Sequence, residues 1–225
     1  NKSCVLYPIP TTLIKENLQA VVPLLTHLIN VSFENSKFPK YLKHASITPI
    51  LKDKTGDVDS YKNYRPISNT GFVAKLIEKA ALVQINEHIE SNNLHAEFQS
   101  GYRKFHSCET ATIKVIDDIK EQISQGKVAA LLFLDLSAAF DTIDHQLLLD
   151  RLRKLYNITG NVADWLESYL TDRSFSVKVG NCSSNKRKVL YGVPQGSLLG
   201  PILFILYTKD LIKIARHHGL SIHIY

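Results

Sequence analysis

The sequence predicts an α+β fold, with helices packed on one side of a small, mainly antiparallel sheet. Two observations carry that reading. Long stretches in which apolar residues recur at helical spacing alternate with short extended segments, and a late Gly180-Asn181 turn signal sits between two alternating runs.

After a Pro8-Ile9-Pro10 entry, Leu13, Leu18, Val21, Leu24, Leu25, Leu28 and Ile29 predict a helix from Thr11 to Phe33. A strand follows around Ile47 and Ile50, then a basic loop. The chain returns in extended form at Arg65-Pro66, because the residue before proline avoids the helical region. Two core helices are expected at Phe72 to Ile89 and Thr110 to Ile123. Between them lies the loop NNLHAEFQSGYRKFHS. The apolar run Val128 to Leu134 predicts a buried strand. Asp144 is placed to cap a helix reaching Leu155, and a shorter helix spans Val162 to Leu170. The stretch SFSVKVGNCSSNKRKVLYGV reads as a hairpin, SLLGPILFILYTKDL as a buried helix, and LSIHIY as the start of an alternating strand.

The chain has 225 residues, 44% of them hydrophobic, enough for one sizeable core or two intimate subdomains. Its 27 Lys and Arg against 21 Asp and Glu give a net charge of +6, which suits an anionic partner. Cys4, Cys108 and Cys182 are odd in number and far apart, so neither a disulfide framework nor a thiolate zinc site is indicated. No stretch approaches the roughly 18 to 20 uninterrupted apolar residues of a membrane span. An intracellular protein is expected. With no methionine and Asn at position 1, the sequence reads as a fragment.

Three constellations could carry chemistry. The first is Asp135, at the end of LLFLD. Burying an ionised carboxylate there costs several kcal/mol unless donors or a cation meet it. From spacing alone it can be a magnesium ligand or a cap on the turn that follows. Asp144 reads as a helix cap, and Asp141 is open to either role. The second is YGVPQGSLLGP, where glycines 192, 196 and 200 let the backbone approach a ligand closely before a helix begins, with Gln195 as a two-way hydrogen bonder. A plain turn capped by Ser197 explains part of that pattern. The third is the basic loop with Lys52, Lys54, Lys62 and Arg65, in which Arg65 stands among Tyr61, Tyr64 and Pro66 and suits bidentate phosphate contact. His95-Ala96-Glu97 matches half of a zinc deaminase signature, but no P-C-x-x-C follows.

In order and spacing, NYRPIS, FQSGYRKFHS, LLFLDLSAAFDTIDH and YGVPQGSLLGPILFILYTKDL resemble the reverse transcriptase domain of non-LTR (LINE-like, jockey-like) retrotransposons. The resemblance covers nearly the whole chain. It implies a right-hand polymerase fold, with a fingers-like region at 1–127 and a partial palm at 128–225, the thumb being absent. It implies RNA-directed DNA polymerase activity in the parent protein, by two-metal nucleotidyl transfer on an RNA template and a DNA primer with deoxynucleoside triphosphates. The cofactor is then two magnesium ions, with manganese as an alternative. No membrane and no obligate protein partner are implied. The cellular location becomes cytoplasm and nucleus.

Residue by residue, the resemblance makes Asp135 the first catalytic aspartate and a metal ligand, with the backbone carbonyl of Leu136 beside it. Phe140 matches the aromatic gate beneath the incoming sugar. Lys52, Arg65, Gln195 and Gly196 match nucleotide-binding positions, and Arg103 matches a template-binding one. Tyr102 stands where the family commonly has Phe, and Ser107-Cys108 replace a usual Ser-Thr. In the family, LSIHIY continues into Ala-Asp-Asp, so the isolated chain is expected not to extend primers. A different class of function, a domesticated or degenerate remnant serving only as a nucleic-acid-binding or structural module, is discriminated by the codons that follow Tyr225.

Overall fold

The computed structural model describes residues 11–136 and 138–225, so the Pro8-Pro10 entry and Cys4 lie outside the described residues. The expected N-terminal helix forms as two, α1 (Thr11–Glu16) and α2 (Leu18–Glu34), parted at Asn17. Next come β1 (His44–Leu51), β2 (Tyr64–Asn69), α3 (Phe72–Ser91), α4 (Cys108–Ser124), α5 (His145–Tyr156) and α6 (Gly160–Leu170). The remainder is β3 (Ser174–Val179), β4 (Cys182–Ser183), β5 (Arg187–Lys188), α7 (Gly200–Thr208) and α8 (Asp210–His217).

Local chemistry sets several of these boundaries. Asp144 caps α5, accepting the Leu147 N–H at 2.8 Å, and the helix ends where Asn157 turns left-handed at φ 52°. Ser107 and Thr110 form a capping box that starts α4. The turn at Gly180 has φ +57° and joins β3 to β4 as the sequence predicts.

The sheet runs in the order β2-β1-β3-β4, with β5 also on β3. It is mixed: among the described residues three of its four strand pairings are antiparallel and one is parallel. β1 pairs antiparallel with β2, Ile47 facing Ser68, but parallel with β3, Ala45 facing Phe175. The central pair therefore joins segments more than a hundred residues apart, a pairing that local hydrophobic pattern does not encode.

The core is helical. Ile77, Ala81, Ile85 and Ile89 of α3 meet Leu148 and Leu152 of α5, Trp165, Leu166 and Tyr169 of α6, and Ile202, Leu203 and Leu206 of α7. Each fully buried aliphatic side chain contributes roughly 1.5–3 kcal/mol. Trp165 and Tyr169 stack with ring planes 7° apart, and Phe38 closes on Tyr169 edge-on at 5.2 Å. Among the described residues no helix is long and apolar enough to cross a membrane.

Two expected core elements differ. The strand at Val128–Leu134 is not formed: no backbone hydrogen bond to another segment holds the described residues 128–136, and Phe133 is 84% exposed. A strand needs a ladder partner, and the sheet built on β1 and β3 does not reach this segment. α4 consequently has no fully buried residue: Val115 and Ile119 are half-buried and Ile113, Ile116 and Ile123 exposed, because the surface its apolar stripe would cover is not assembled. LSIHIY makes a single bridge, Ile224 parallel to Gln99, rather than a strand.

Candidate functional site

Three distant segments converge on Gln195. Its carbonyl oxygen accepts the Ser68 N–H at 2.8 Å, from the outer edge of β2. Its side-chain Nε2 donates to Asp141 Oδ2 at 2.5 Å. The next residue, Gly196, has φ +103°, and a Cβ there would lie 3.1 Å from the Ser68 carbonyl oxygen. The NYRPIS strand, the FDTIDH turn and the VPQGS loop thus form one surface.

The turn and the loop are laced together by main chain. Gly192 N–H donates to the Ile143 carbonyl at 2.7 Å, and Val193 N–H to the Phe140 carbonyl at 2.8 Å. His145 Nε2 donates to the Gly192 carbonyl at 2.7 Å. Gly192 is required twice over, by φ +83° and by a backbone contact in which a Cβ would fall 2.6 Å from the Phe140 oxygen. Crowding against this loop pushes the Asp141 carboxyl above the ordinary range, and the Gln195 donor partly offsets that.

A buried network supports the loop from below. Glu78 of α3 is fully buried, accepting the Leu198 N–H at 2.7 Å and the Tyr169 hydroxyl at 3.3 Å. Burial pushes its carboxyl up, against those donors and the Arg173 charge. Arg173, also buried, donates to the Tyr169 carbonyl at 2.9 Å and lies 4.8 Å over the Tyr169 ring. Ser197 Oγ accepts the Gly200 N–H at 3.0 Å and so ties the loop to the start of α7, but the N-cap position of that helix is Leu199, not the Ser197 the sequence offered.

The other predicted site residues are dispersed. Arg65 is exposed on β2 opposite Ile50, and Lys52 follows β1 at the same end of that pair, its N–H on the Asn63 carbonyl. Phe140 is half-buried, its ring 5.5 Å from that of Phe204. Arg103 reaches back to the Gln99 carbonyl at 3.4 Å, in a turn that packs on Tyr225. Asp135 and Leu136 lie exposed in the unpaired segment. Sequence reasoning missed Ser68 and Glu78. A glutamate in step with Ala74, Ile77, Ala81 and Ile85 on a buried stripe was a readable signal; a backbone contact at Ser68 was not.

Residues 50–225 match the family model described as reverse transcriptase (RNA-dependent DNA polymerase). The chain belongs to the reverse transcriptase family. It is 33% identical over 174 residues to the probable RNA-directed DNA polymerase from transposon BS of Drosophila melanogaster, covering 77% of this chain and 19% of that protein. It is 34% identical over 186 residues to the RNA-directed DNA polymerase from mobile element jockey of Drosophila funebris, covering 82% and 20%. A retrovirus-related Pol polyprotein from the type-1 retrotransposable element R2 of Popillia japonica is 26% identical over 163 residues, covering 72% and 22%. The chain spans about a fifth of the length of these relatives.

Reverse transcriptases generally use divalent metal ions. Among the described residues no three His, Cys, Asp or Glu side chains gather to hold one. Asp135 offers carboxylate oxygens of the right chemistry, but the described residues do not by themselves complete a metal centre.

Proposed function

We propose that this chain is the nucleotide-handling part of an RNA-directed DNA polymerase of a non-LTR retrotransposon, acting on an RNA template, a DNA primer and deoxynucleoside triphosphates. The observation that carries the reading is the convergence of Ser68, Asp141 and Gln195, which joins three family-like segments in one surface. Phosphoryl transfer asks a protein mainly for positioning and charge neutralisation, and a loop fixed at its backbone and at its side chain serves positioning.

In this reading residues 1–127 are fingers-like and 128–225 are a partial palm. Gln195 and Gly196 face the template base and incoming nucleotide, with Phe140 beneath the sugar. Lys52 and Arg65 meet the triphosphate, and Arg103 meets the template strand. Asp135 and the Leu136 carbonyl are the oxygen ligands this chain brings to magnesium, or to manganese in its place. An element that copies its RNA and integrates the product would act in cytoplasm and nucleus.

A second reading, a nucleic-acid-binding module without catalysis, is favoured by one observation: among the described residues Asp135 belongs to no group of three or more His, Cys, Asp or Glu side chains able to hold a metal. Primer extension on an RNA template, by the chain alone and within its own reading frame, separates the two. Magnesium-dependent incorporation in the longer form supports the polymerase. Template binding with no incorporation in either form supports the module.

A further inference from the structure

We infer that Asp141 is a positioning residue that fixes the amide of Gln195 in one of its two flips, so that the loop presents a set order of donor and acceptor to its nucleic-acid ligand. This rests on the polymerase reading of Gln195 given above. An amide carries an acceptor oxygen and a donor nitrogen of nearly equal shape, and a free glutamine presents either one to a ligand. An ionised carboxylate only accepts. The 2.5 Å contact therefore requires Nε2 toward Asp141 and keeps Oε1 away from it.

The remaining freedom of Gln195 is restricted as well. Its carbonyl is tied to Ser68, and neighbouring Gly196 is pressed against the same strand residue. Asp141 in turn is held by its surroundings, because the Phe140 carbonyl bonds Val193 and the Asp141 N–H donates to the Ala138 carbonyl at 2.9 Å. The side-chain clamp thus sits between two fixed backbones. A carboxylate at 141 restricts the flip, whereas an asparagine there could meet either face of Gln195.

The first test uses the 225-residue chain labelled with ¹⁵N, the Gln195 side-chain amide being assigned by its loss in Gln195→Ala. One of its two protons is expected to be shifted downfield and slowed in solvent exchange. That signature should be lost in Asp141→Asn and in Asp141→Ala. Identical Gln195 amide signals in wild type and both variants overturn the inference. The second test uses the longer form that extends primers. Asp141→Asn should raise the nucleotide KM by about tenfold and increase misincorporation, while kcat changes far less. A KM and error rate equal to wild type overturn the positioning role. If the wild-type longer form extends no primer, the polymerase reading falls, and the amide signature alone upholds or overturns the clamp.

Discussion

Glu78 Oε2 accepts the backbone N–H of Leu198 across 120 residues of sequence, from a fully buried position on α3 to the mouth of α7. The same carboxylate receives the Tyr169 hydroxyl and lies in the field of Arg173. Glu78→Ala leaves the buried Tyr169 hydroxyl, the buried Arg173 charge and the Leu198 N–H without this carboxylate, so a loss of about 3–5 kcal/mol is expected in urea denaturation. Glu78→Gln keeps an acceptor and should lose about 1–2 kcal/mol. Because burial raises the folded carboxyl above its ordinary 4.5, the stability linked to its protonation is fully present below that value and is lost as pH rises through the folded one. The stability of wild type relative to Glu78→Gln should therefore decline on going from acid toward neutral pH. A difference that stays flat, or grows, would place the raised carboxyl elsewhere.

Gly192→Ala should cost about 2–4 kcal/mol, since the new methyl must displace the Phe140 carbonyl as well as accept φ +83°. Gly219 provides the control. It has φ +69° with open space around it, so Gly219→Ala should lose only about 1 kcal/mol. Thermal melts of the two variants measure the difference, which isolates the contact between the FDTIDH turn and the VPQGS loop. Equal losses would mean that the loop yields freely.

What the sequence discloses follows how local the cause is. Asp144 as a cap, the Arg65-Pro66 strand and the turn at Gly180 depend on residues within a few positions, and all are found. The apolar run 128–134 has strand composition, but composition does not supply a ladder partner, and α4 loses its cover with it. The site shows the same division. The glycines of the VPQGS loop announce a close backbone approach, and Gly192 makes it. That Gln195 pairs with Asp141, 54 residues away, required the fold.

Asp135 is exposed and forms no hydrogen bond or ion pair among the described residues. Asp135→Asn should therefore leave stability within about 0.5 kcal/mol of wild type. If this acid is the metal ligand proposed, the same change abolishes primer extension in the longer form, since an amide does not replace the charge of a carboxylate on a hard cation. Paired denaturation and extension assays read the two effects separately. Activity retained at the wild-type level would assign the metal to another acid.

Phe140 carries a structural and a proposed selective role that can be separated by size. Its ring packs 5.5 Å from Phe204 and joins the edge of the helical core. Phe140→Ala leaves part of that space open, so a loss of about 2–3 kcal/mol is expected, below the cost at a fully enclosed site because Phe140 is only half-buried. Phe140→Leu refills most of the volume and should lose about 1 kcal/mol. If the ring is the gate beneath the sugar, both variants accept ribonucleotides better than wild type, and Ala the more so. Single-nucleotide incorporation with deoxy- and ribonucleoside triphosphates measures this as a ratio of kcat/KM, which is insensitive to the fraction of folded enzyme. An unchanged ratio in both variants would leave Phe140 as a packing residue alone.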